Sequence, residues 1–307
     1  MQDRGWTEED VPSQEGRAFL VTGANGGLGY ETARVLAQRG ARVILACRRP
    51  DAAAEAARRI RDLAPGARVQ VEALDLAELA SVRECARRVA KGLGRLDGLV
   101  NNAGLMGVPR AVTADGFERQ FAVNHLGHFA LTGRLLPLLL AAPAPRVVTV
   151  TSETARFGRI AFDDLQGERR YRPWRAYAQA KLANLLFALE LDRRARAAGS
   201  ALVSMGAHPG YAGTGLQANP ERRLRAPVQR FWSWANRSVA QGAAAGAWPT
   251  LRAATDPQAR GGTLYGPSRL LAGPAIVDTV YRRGADQEAA RRLWDASATL
   301  TGVHYPF

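Results

Sequence analysis

The twelve residues Ala18-Phe19-Leu20-Val21-Thr22-Gly23-Ala24-Asn25-Gly26-Gly27-Leu28-Gly29 restrict this chain more than any other stretch. An unbroken apolar run enters a glycine-rich turn, and Leu28, Ala33, Leu36 and Ala37 follow at helical spacing. The order reads strand, tight turn, helix. Glycine lets a backbone turn sharply and approach a ligand with no Cβ in the way. The first turn of the helix then offers unpaired N–H groups to a pyrophosphate. An ordinary βα turn is the bland alternative, but the position near the start of a domain-sized chain favours a nucleotide site. No Gly-Lys-Ser or Gly-Lys-Thr closes the turn, so the lysine of a phosphoryl-transfer loop is missing.

The same alternation continues downstream. Short apolar runs at 42–47, 68–74, 96–100, 146–151 and 201–205 predict strands, with a last short strand within 261–267. Helical patterns cover 52–62, 80–91, 117–131, 135–140, 177–197, 222–246 and 286–299. Short apolar strands that alternate with helices predict an α/β fold. The expected form is one doubly wound, mostly parallel sheet with helices on both faces, a Rossmann fold. Its ligands bind beyond the carboxyl ends of the strands. A single domain is expected over 17–307, with 206–250 as its substrate side and residues 1–16 as a loose polar leader.

Composition narrows the function. The formal net charge is +14, which raises nucleic acid as a partner. The arginines, however, come in scattered helical pairs such as Arg58-Arg59 and Arg193-Arg194, with no tract of interleaved aromatics. A solvated basic surface is expected, with no specific nucleic-acid partner. Lys91 and Lys181 are the two lysines of the chain. Leu135 to Ala142, the longest apolar stretch, is too short to span a bilayer. Cys47 and Cys85 make no disulfide framework and have no metal-ligand spacing. A cytoplasmic protein without a transmembrane segment is the expectation, and a homo-oligomer stays open.

The strand ends carry the chemistry. Arg48 and Arg49 follow the second strand, where an acidic residue would bind a free ribose 2′-hydroxyl. Two cations there favour a 2′-phosphate, hence NADP(H) over NAD, although both could simply flank a helix start. Asp75 and Leu76 close the third strand, placed for adenine or for a helix cap. Asn101-Asn102-Ala103-Gly104 closes the fourth, small enough to pass close to a ribose. Ser152 follows the fifth. Tyr177 and Lys181 lie four apart on one helix face. An ammonium near a phenol favours phenolate, so Lys181 is expected to lower the Tyr177 pKa and prepare it for proton transfer. Ser152 would hold the same substrate oxygen. Asn124, inside an apolar helix, needs a partner. It is expected to reach a main-chain carbonyl through water, or else to be purely structural. His125 and His128 lack a third ligand at convincing spacing, so no metal site is expected and both read as pocket-wall or core residues.

Taken in order, these motifs resemble the short-chain dehydrogenase/reductase superfamily: Thr22-Gly23-x-x-x-Gly27-x-Gly29, Asp75, Asn101 to Gly104, Asn124, Ser152 and Tyr177-x-x-x-Lys181. The resemblance implies that Tyr177 is the acid/base and Ser152 steadies the substrate oxygen. It also implies that Lys181 binds the nicotinamide ribose as well and Asn124 supports a water relay. It further implies cofactor contacts at Gly23, Asn25, Gly26, Gly27, Leu28, Gly29, Arg48, Arg49, Asp75, Leu76, Asn102, Ala103, Gly104, Tyr177 and Lys181. Pro209, Gly210 and Thr214 resemble the loop that touches the nicotinamide and its phosphates. Asn124-His125-Leu126-Gly127-His128-Phe129, Ala176-Tyr177, Lys181 to Asn184 and His208-Pro209-Gly210 are similar to the retinol dehydrogenase-like and protochlorophyllide reductase-like branch. Thr151 and Ala155 depart from it, standing where a serine and a histidine are frequent, and the anchoring leader of many retinol dehydrogenases is not expected here.

The expected reaction is a metal-free hydride transfer between nicotinamide and an apolar aldehyde or ketone, or the matching alcohol. Tyr211, Leu216, Phe231, Trp232 and Trp234 are expected to form an apolar lid, with core packing or a subunit contact as the rival reading. Other readings of the same motifs are an epimerase or dehydratase and a nucleotide-binding regulatory protein without turnover.

Overall fold

Strands apolar at successive positions must be buried on both faces, and the first strand shows it: all five residues of β1 (Ala18–Thr22) are buried. The computed structural model describes residues 5–210, 242–269 and 272–307. With β1, the strands β2 (Arg42–Cys47), β3 (Val69–Ala73), β4 (Gly98–Asn101), β5 (Arg146–Val150), β6 (Val203–Ala207), β7 (Leu264–Pro267) and β8 (Ala275–Asp278) form one sheet. Its order is β3-β2-β1-β4-β5-β6-β7-β8. Neighbours are parallel up to β7, and β8 returns antiparallel. Leu20 of β1 pairs with Ile44 on one side and with Leu99 on the other. The chain therefore leaves β1 in one direction and resumes on its opposite side at β4, which opens a crevice at their carboxyl ends.

Alternate residues of each strand feed two separate cores. Phe19, Val21, Val43, Leu45 and Met205 pack with Leu36 of α1 (Gly27–Gln38), Ile60 of α2 (Pro50–Leu63) and Leu251 of α8 (Trp248–Thr255). Leu20, Ile44, Leu99 and Val147 face the other way. They meet Val82 of α3 (Leu79–Gly92), Phe129 of α5 (Gly127–Leu140), Leu191 of α6 (Pro173–Ala197) and Trp294 of α9 (Gln287–Thr301). Burying a side chain of this size contributes about 1.5–3 kcal/mol. The doubly wound α/β reading therefore holds, and the short turns α4 (Arg119–Phe121) and α7 (Ala243–Gly246) complete the helices described.

Four local expectations change. Residues from Gly5 to Gly16 are not loose: Trp6 and Val11 are buried, and Trp6 exchanges backbone hydrogen bonds with Ala275 of β8 at 3.0 and 2.7 Å. An indole that finds an apolar seat and a free strand edge anchors a segment whose composition looks polar. The two helices expected at 117–131 and 135–140 are one continuous path, with Pro137 inside α5. Its missing N–H is outweighed by the burial of Leu135, Leu136 and Leu139 around it. Within that path Ala122–Leu126 forms a π turn, closed by the Gly127 amide on the Ala122 carbonyl. Finally, α8 and β8 had no sequence forecast. Pro249 sits in the first turn of α8, where a missing N–H costs nothing.

Candidate active site

The glycine turn lies at the carboxyl end of β1. Gly23 has φ +66° and Gly27 φ +55°, a region that glycine enters without strain. A Cβ on Gly29 would run into the Asn102 side chain and come within 2.6 Å of the Gly23 carbonyl oxygen. A Cβ on Gly26 would meet nothing within 4 Å. Gly26 is also the cap of α1 and gives it no side-chain hydrogen bond. The first turn of α1, with Leu28 in it, thus presents open backbone amides beside free space, which fits a dinucleotide phosphate. Asn25 is half-buried in the same turn.

Thr22 connects this turn to β4. Its Oγ1 accepts from the Asn102 and Ala103 amides, both at 2.9 Å, and Asn102 Nδ2 donates to the Thr22 carbonyl at 2.7 Å. Asn101 Nδ2 adds a bond to Thr132 Oγ1 at 3.0 Å. Arg48 and Arg49 are exposed at the end of β2, with Arg49 at the cap of α2. Asp75 Oδ1 accepts from the Ala77 amide at 2.9 Å, so one carboxylate oxygen shapes the turn before α3. Leu76 beside it is buried.

Lys181, Tyr177 and Asn124 are buried, and Ser152 is half-buried. Ser152 caps the turn Glu153–Phe157 and accepts from the Thr154 amide at 3.3 Å and the Thr154 hydroxyl at 3.0 Å. It also lies beside the Tyr177 phenol, whose pKa it works to lower. The Lys181 ammonium donates to the Val150 carbonyl at 3.0 Å, and the Thr151 hydroxyl donates to the Lys181 carbonyl at 2.6 Å. A Cβ placed on Gly104 would lie 3.1 Å from Asn124 Oδ1 and 3.4 Å from Lys181 Nζ. The end of β4, the π turn and α6 therefore converge on one point, and Ser152 approaches it from β5 through Tyr177.

Two expectations change here. Burial pushes the Tyr177 phenol up to about 12, and the neighbouring Ser152 opposes this only in part. Burial pushes Lys181 down to about 8. The lysine therefore does not produce the lowered phenol expected from sequence spacing. Its ammonium is spent on the Val150 carbonyl, and the cost of burying charge dominates both groups. The Asn124 side chain also reaches the main chain directly: Oδ1 accepts from the Leu105 amide at 2.7 Å and Nδ2 donates to the Leu105 carbonyl at 2.9 Å.

His125 and His128 are core residues. His128 Nδ1 lies 2.9 Å from the Asn124 carbonyl, which can only accept, so Nδ1 carries the proton. Its Nε2 then accepts from the Thr22 hydroxyl at 2.9 Å. His125 Nε2 meets Ser297 Oγ at 2.8 Å. Pro209 and Gly210 follow β6, and the Gly210 amide donates to His208 Nδ1 at 3.3 Å. Thr214, Tyr211, Leu216, Phe231, Trp232 and Trp234 lie outside the described residues.

Sequence reasoning overlooked three residues. Thr154 donates to Ser152 Oγ through both its amide and its hydroxyl. Asn184 donates to the Val150 carbonyl beside Lys181 at 3.0 Å. Trp174 packs edge-on against Tyr177, ring centroids 6.0 Å apart, and remains 43% exposed. Its place three residues before Tyr177 on one helix was the available signal.

Residues 17–224 match the family model described as short chain dehydrogenase. The chain is 43% identical over 299 residues to mouse polyprenol dehydrogenase, covering 95% of this chain and 86% of that protein. It is 38% identical over 308 residues to human retinol dehydrogenase 14, with 96% and 89% covered. Among solved structures, an uncharacterized protein from Mycobacterium paratuberculosis superposes with a TM-score of 0.82 at 43% identity, covering 99% of this chain and 100% of the other. A Shigella flexneri short chain dehydrogenase complexed with NADP gives 0.64 at 25% identity, covering 84% and 98%. An Escherichia coli short chain dehydrogenase complexed with NADPH gives 0.60 at 26%, with the same coverages. With the glycine turn, the β4 end and the Tyr177–Lys181 pair in place on this sheet, and with a family match over more than half its length, the chain belongs to the short chain dehydrogenase family.

Proposed function

We propose that this protein is an NADP(H)-dependent oxidoreductase of the retinol dehydrogenase-like branch, acting on an apolar aldehyde or ketone or on the matching alcohol. The observation that carries the reading is the placement of Tyr177 beside Ser152, with Lys181 and Asn124 packed against Gly104 at the same strand ends. The open amides at Gly26–Gly29 and the exposed Arg48 and Arg49 support NADP(H). The solved relatives complexed with NADP and NADPH support it too.

The nicotinamide supplies the hydride when bound. The chain's own residues handle the oxygen. Ser152 donates to the substrate oxygen. Tyr177, protonated at neutral pH because burial holds its pKa near 12, delivers its proton as negative charge develops on that oxygen. In the oxidative direction the same phenol must first lose its proton. The amides of Gly23 and Asn25 to Gly29, with Asn102, Ala103 and Gly104, would line the dinucleotide, Asp75 and Leu76 the adenine, and Pro209 and Gly210 the nicotinamide.

Exposed Trp174 beside Tyr177 gives the substrate side an apolar wall, and relatives named for retinol and polyprenol support an apolar alcohol or carbonyl. Cys47 and Cys85, both free and buried, fit a cytoplasmic, reducing setting. Among the described residues no helix is long and apolar enough to cross a membrane. The test is NADPH oxidation by the purified protein with a panel of apolar aldehydes and ketones. Turnover that vanishes in Tyr177→Phe is the expected result. A folded protein that binds neither NADPH nor NADH would overturn the reading.

A further inference from the structure

Three side chains left idle by this reading meet where β5, β6 and β8 end. His208 Nε2 lies 2.8 Å from Asp278 Oδ2 and 3.2 Å from Glu153 Oε1. His208 directly follows β6, Asp278 ends β8, and Glu153 directly follows Ser152. The histidine is buried, while both carboxylates are half-buried. The ring orientation follows from its other nitrogen. The Gly210 amide donates to Nδ1, and an amide N–H can only donate, so Nδ1 keeps its lone pair and Nε2 carries the proton. That proton faces Asp278, with Glu153 alongside.

The ligand atoms of Glu153, His208 and Asp278 lie within 4.8 Å of one another, a spacing that a divalent ion could bridge. Arg156 gives the group a different character. Its Nε lies 2.5 Å from Glu153 Oε2 and its Nη2 3.6 Å from Asp278 Oδ2. A guanidinium held over the Tyr281 ring, 5.2 Å from its centroid, is already the cation of this cluster. Burial works to raise the Asp278 carboxyl, but the His208 bond, the Thr279 amide and the Arg156 charge hold it below the ordinary range. The group is a braced support, and what it braces is the turn at Gly210, where φ is +64°.

We propose that His208 is a positioning residue: Asp278 and Glu153 fix its ring, and the ring fixes the Gly210 amide, so that the backbone after β6 keeps its place against the nicotinamide half of the cofactor. The proposal rests on the reading that Pro209 and Gly210 contact that half. It also gives β8 a role, since the antiparallel strand delivers Asp278 to the site rim.

The test titrates the full-length protein with NADPH and, separately, with 2′,5′-ADP, which carries the phosphorylated adenosine half and no nicotinamide. Asp278→Ala is expected to weaken NADPH about tenfold, the effect of losing one charge-assisted hydrogen bond, while 2′,5′-ADP binds as in the wild type. Asp278→Asn keeps an oxygen acceptor for the Nε2 proton and is expected to recover most of the affinity. Glu153→Gln, a milder change, is expected to weaken NADPH about threefold with the same selectivity. Equal weakening of both ligands, or no weakening of either, overturns the positioning role. A wild-type protein that binds NADPH no more tightly than 2′,5′-ADP shows instead that the nicotinamide half finds no contact here. The underlying reading then fails first, and the proposal falls with it.

Discussion

The Lys181 ammonium donates to the Val150 carbonyl oxygen at 3.0 Å, tying the middle of α6 to the last residue of β5. The Thr151 hydroxyl closes the tie from the other side on the Lys181 carbonyl. This fixes the spacing between Ser152 and Tyr177. It also buries a charge whose pKa falls to about 8 from an ordinary 10.5. Below pH 8 the folded and unfolded chains both hold the proton. Between about 8 and 10.5 the unfolded chain holds more, so this group's contribution to stability rises with pH across that window. Lys181→Met, which removes the buried charge and keeps the length, is expected to raise the melting temperature at pH 7 by roughly 5 °C and to flatten the alkaline rise. Turnover should be lost. Thermal melts from pH 7 to 10.5 check the sign, and a variant less stable than wild type throughout would sink the claim that burial dominates.

Tyr177→Phe removes the proton donor and little else, because the ring keeps its contact with Trp174. NADPH-dependent carbonyl reduction is expected to fall by about 10²- to 10⁴-fold. NADPH affinity and the melting temperature should stay close to wild type. Steady-state rates paired with a fluorescence titration separate the two effects.

Gly26 and Gly29 sit three residues apart in the same turn and should respond differently to alanine. A Cβ on Gly29 collides with Asn102 and Gly23, so Gly29→Ala is expected to destabilise the fold by about 1–3 kcal/mol as well as abolish NADPH binding. A Cβ on Gly26 meets only free space, and its backbone is extended at φ −176°. Gly26→Ala should therefore melt like the wild type and still bind NADPH at least tenfold more weakly, since the methyl group stands where a phosphate approaches. Unaltered binding in Gly26→Ala would place the dinucleotide elsewhere.

Arg48 and Arg49 are exposed where a 2′-phosphate would lie. Replacing both with glutamate is expected to weaken NADPH by about 100-fold while NADH changes by less than about threefold. The ratio of the two kcat/KM values is the measurement. A ratio that does not move would reduce these arginines to a solvated helix start.

His125 and His128 are buried neutral, the first pushed down to about 3 and the second to about 4, burial being the largest cause in each. The unfolded chain takes up protons at these sites near the ordinary 6.5, earlier than the folded one does. Stability should therefore fall as the pH drops from about 6.5 towards 4. His128→Gln should soften that fall even though it is less stable at pH 7. Denaturant midpoints at pH 7, 5.5 and 4.5 would show it.

The candidate site was largely legible in one dimension because the chemistry sits at strand ends and on one helix face. Ser152, Tyr177 and Lys181 needed only the spacing of β5 and α6, and the glycine turn needed only its place after β1. Asn124 was visible as a polar residue in an apolar helix, but its partner was not, because a π turn cannot be seen in apolar periodicity. The Tyr177 pKa is equally invisible to spacing. Sequence spacing placed an ammonium near it, whereas burial and the Val150 carbonyl decide both pKa values, and those belong to the packed protein.

Local sequence is enough to specify the parallel sheet, the glycine turn and the helix that carries Tyr177 and Lys181. Those features rest on local properties: unbroken apolar runs, glycine conformations and the helical repeat. Tertiary structure alone decided the partners of the buried polar groups. It joined Thr22 to His128, set Trp6 against β8, and drew Glu153, His208 and Asp278 into one cluster from three separate segments. Hydrogen bonds between residues far apart in the chain depend on which buried donors and acceptors the sheet brings within reach, and no local pattern encodes that.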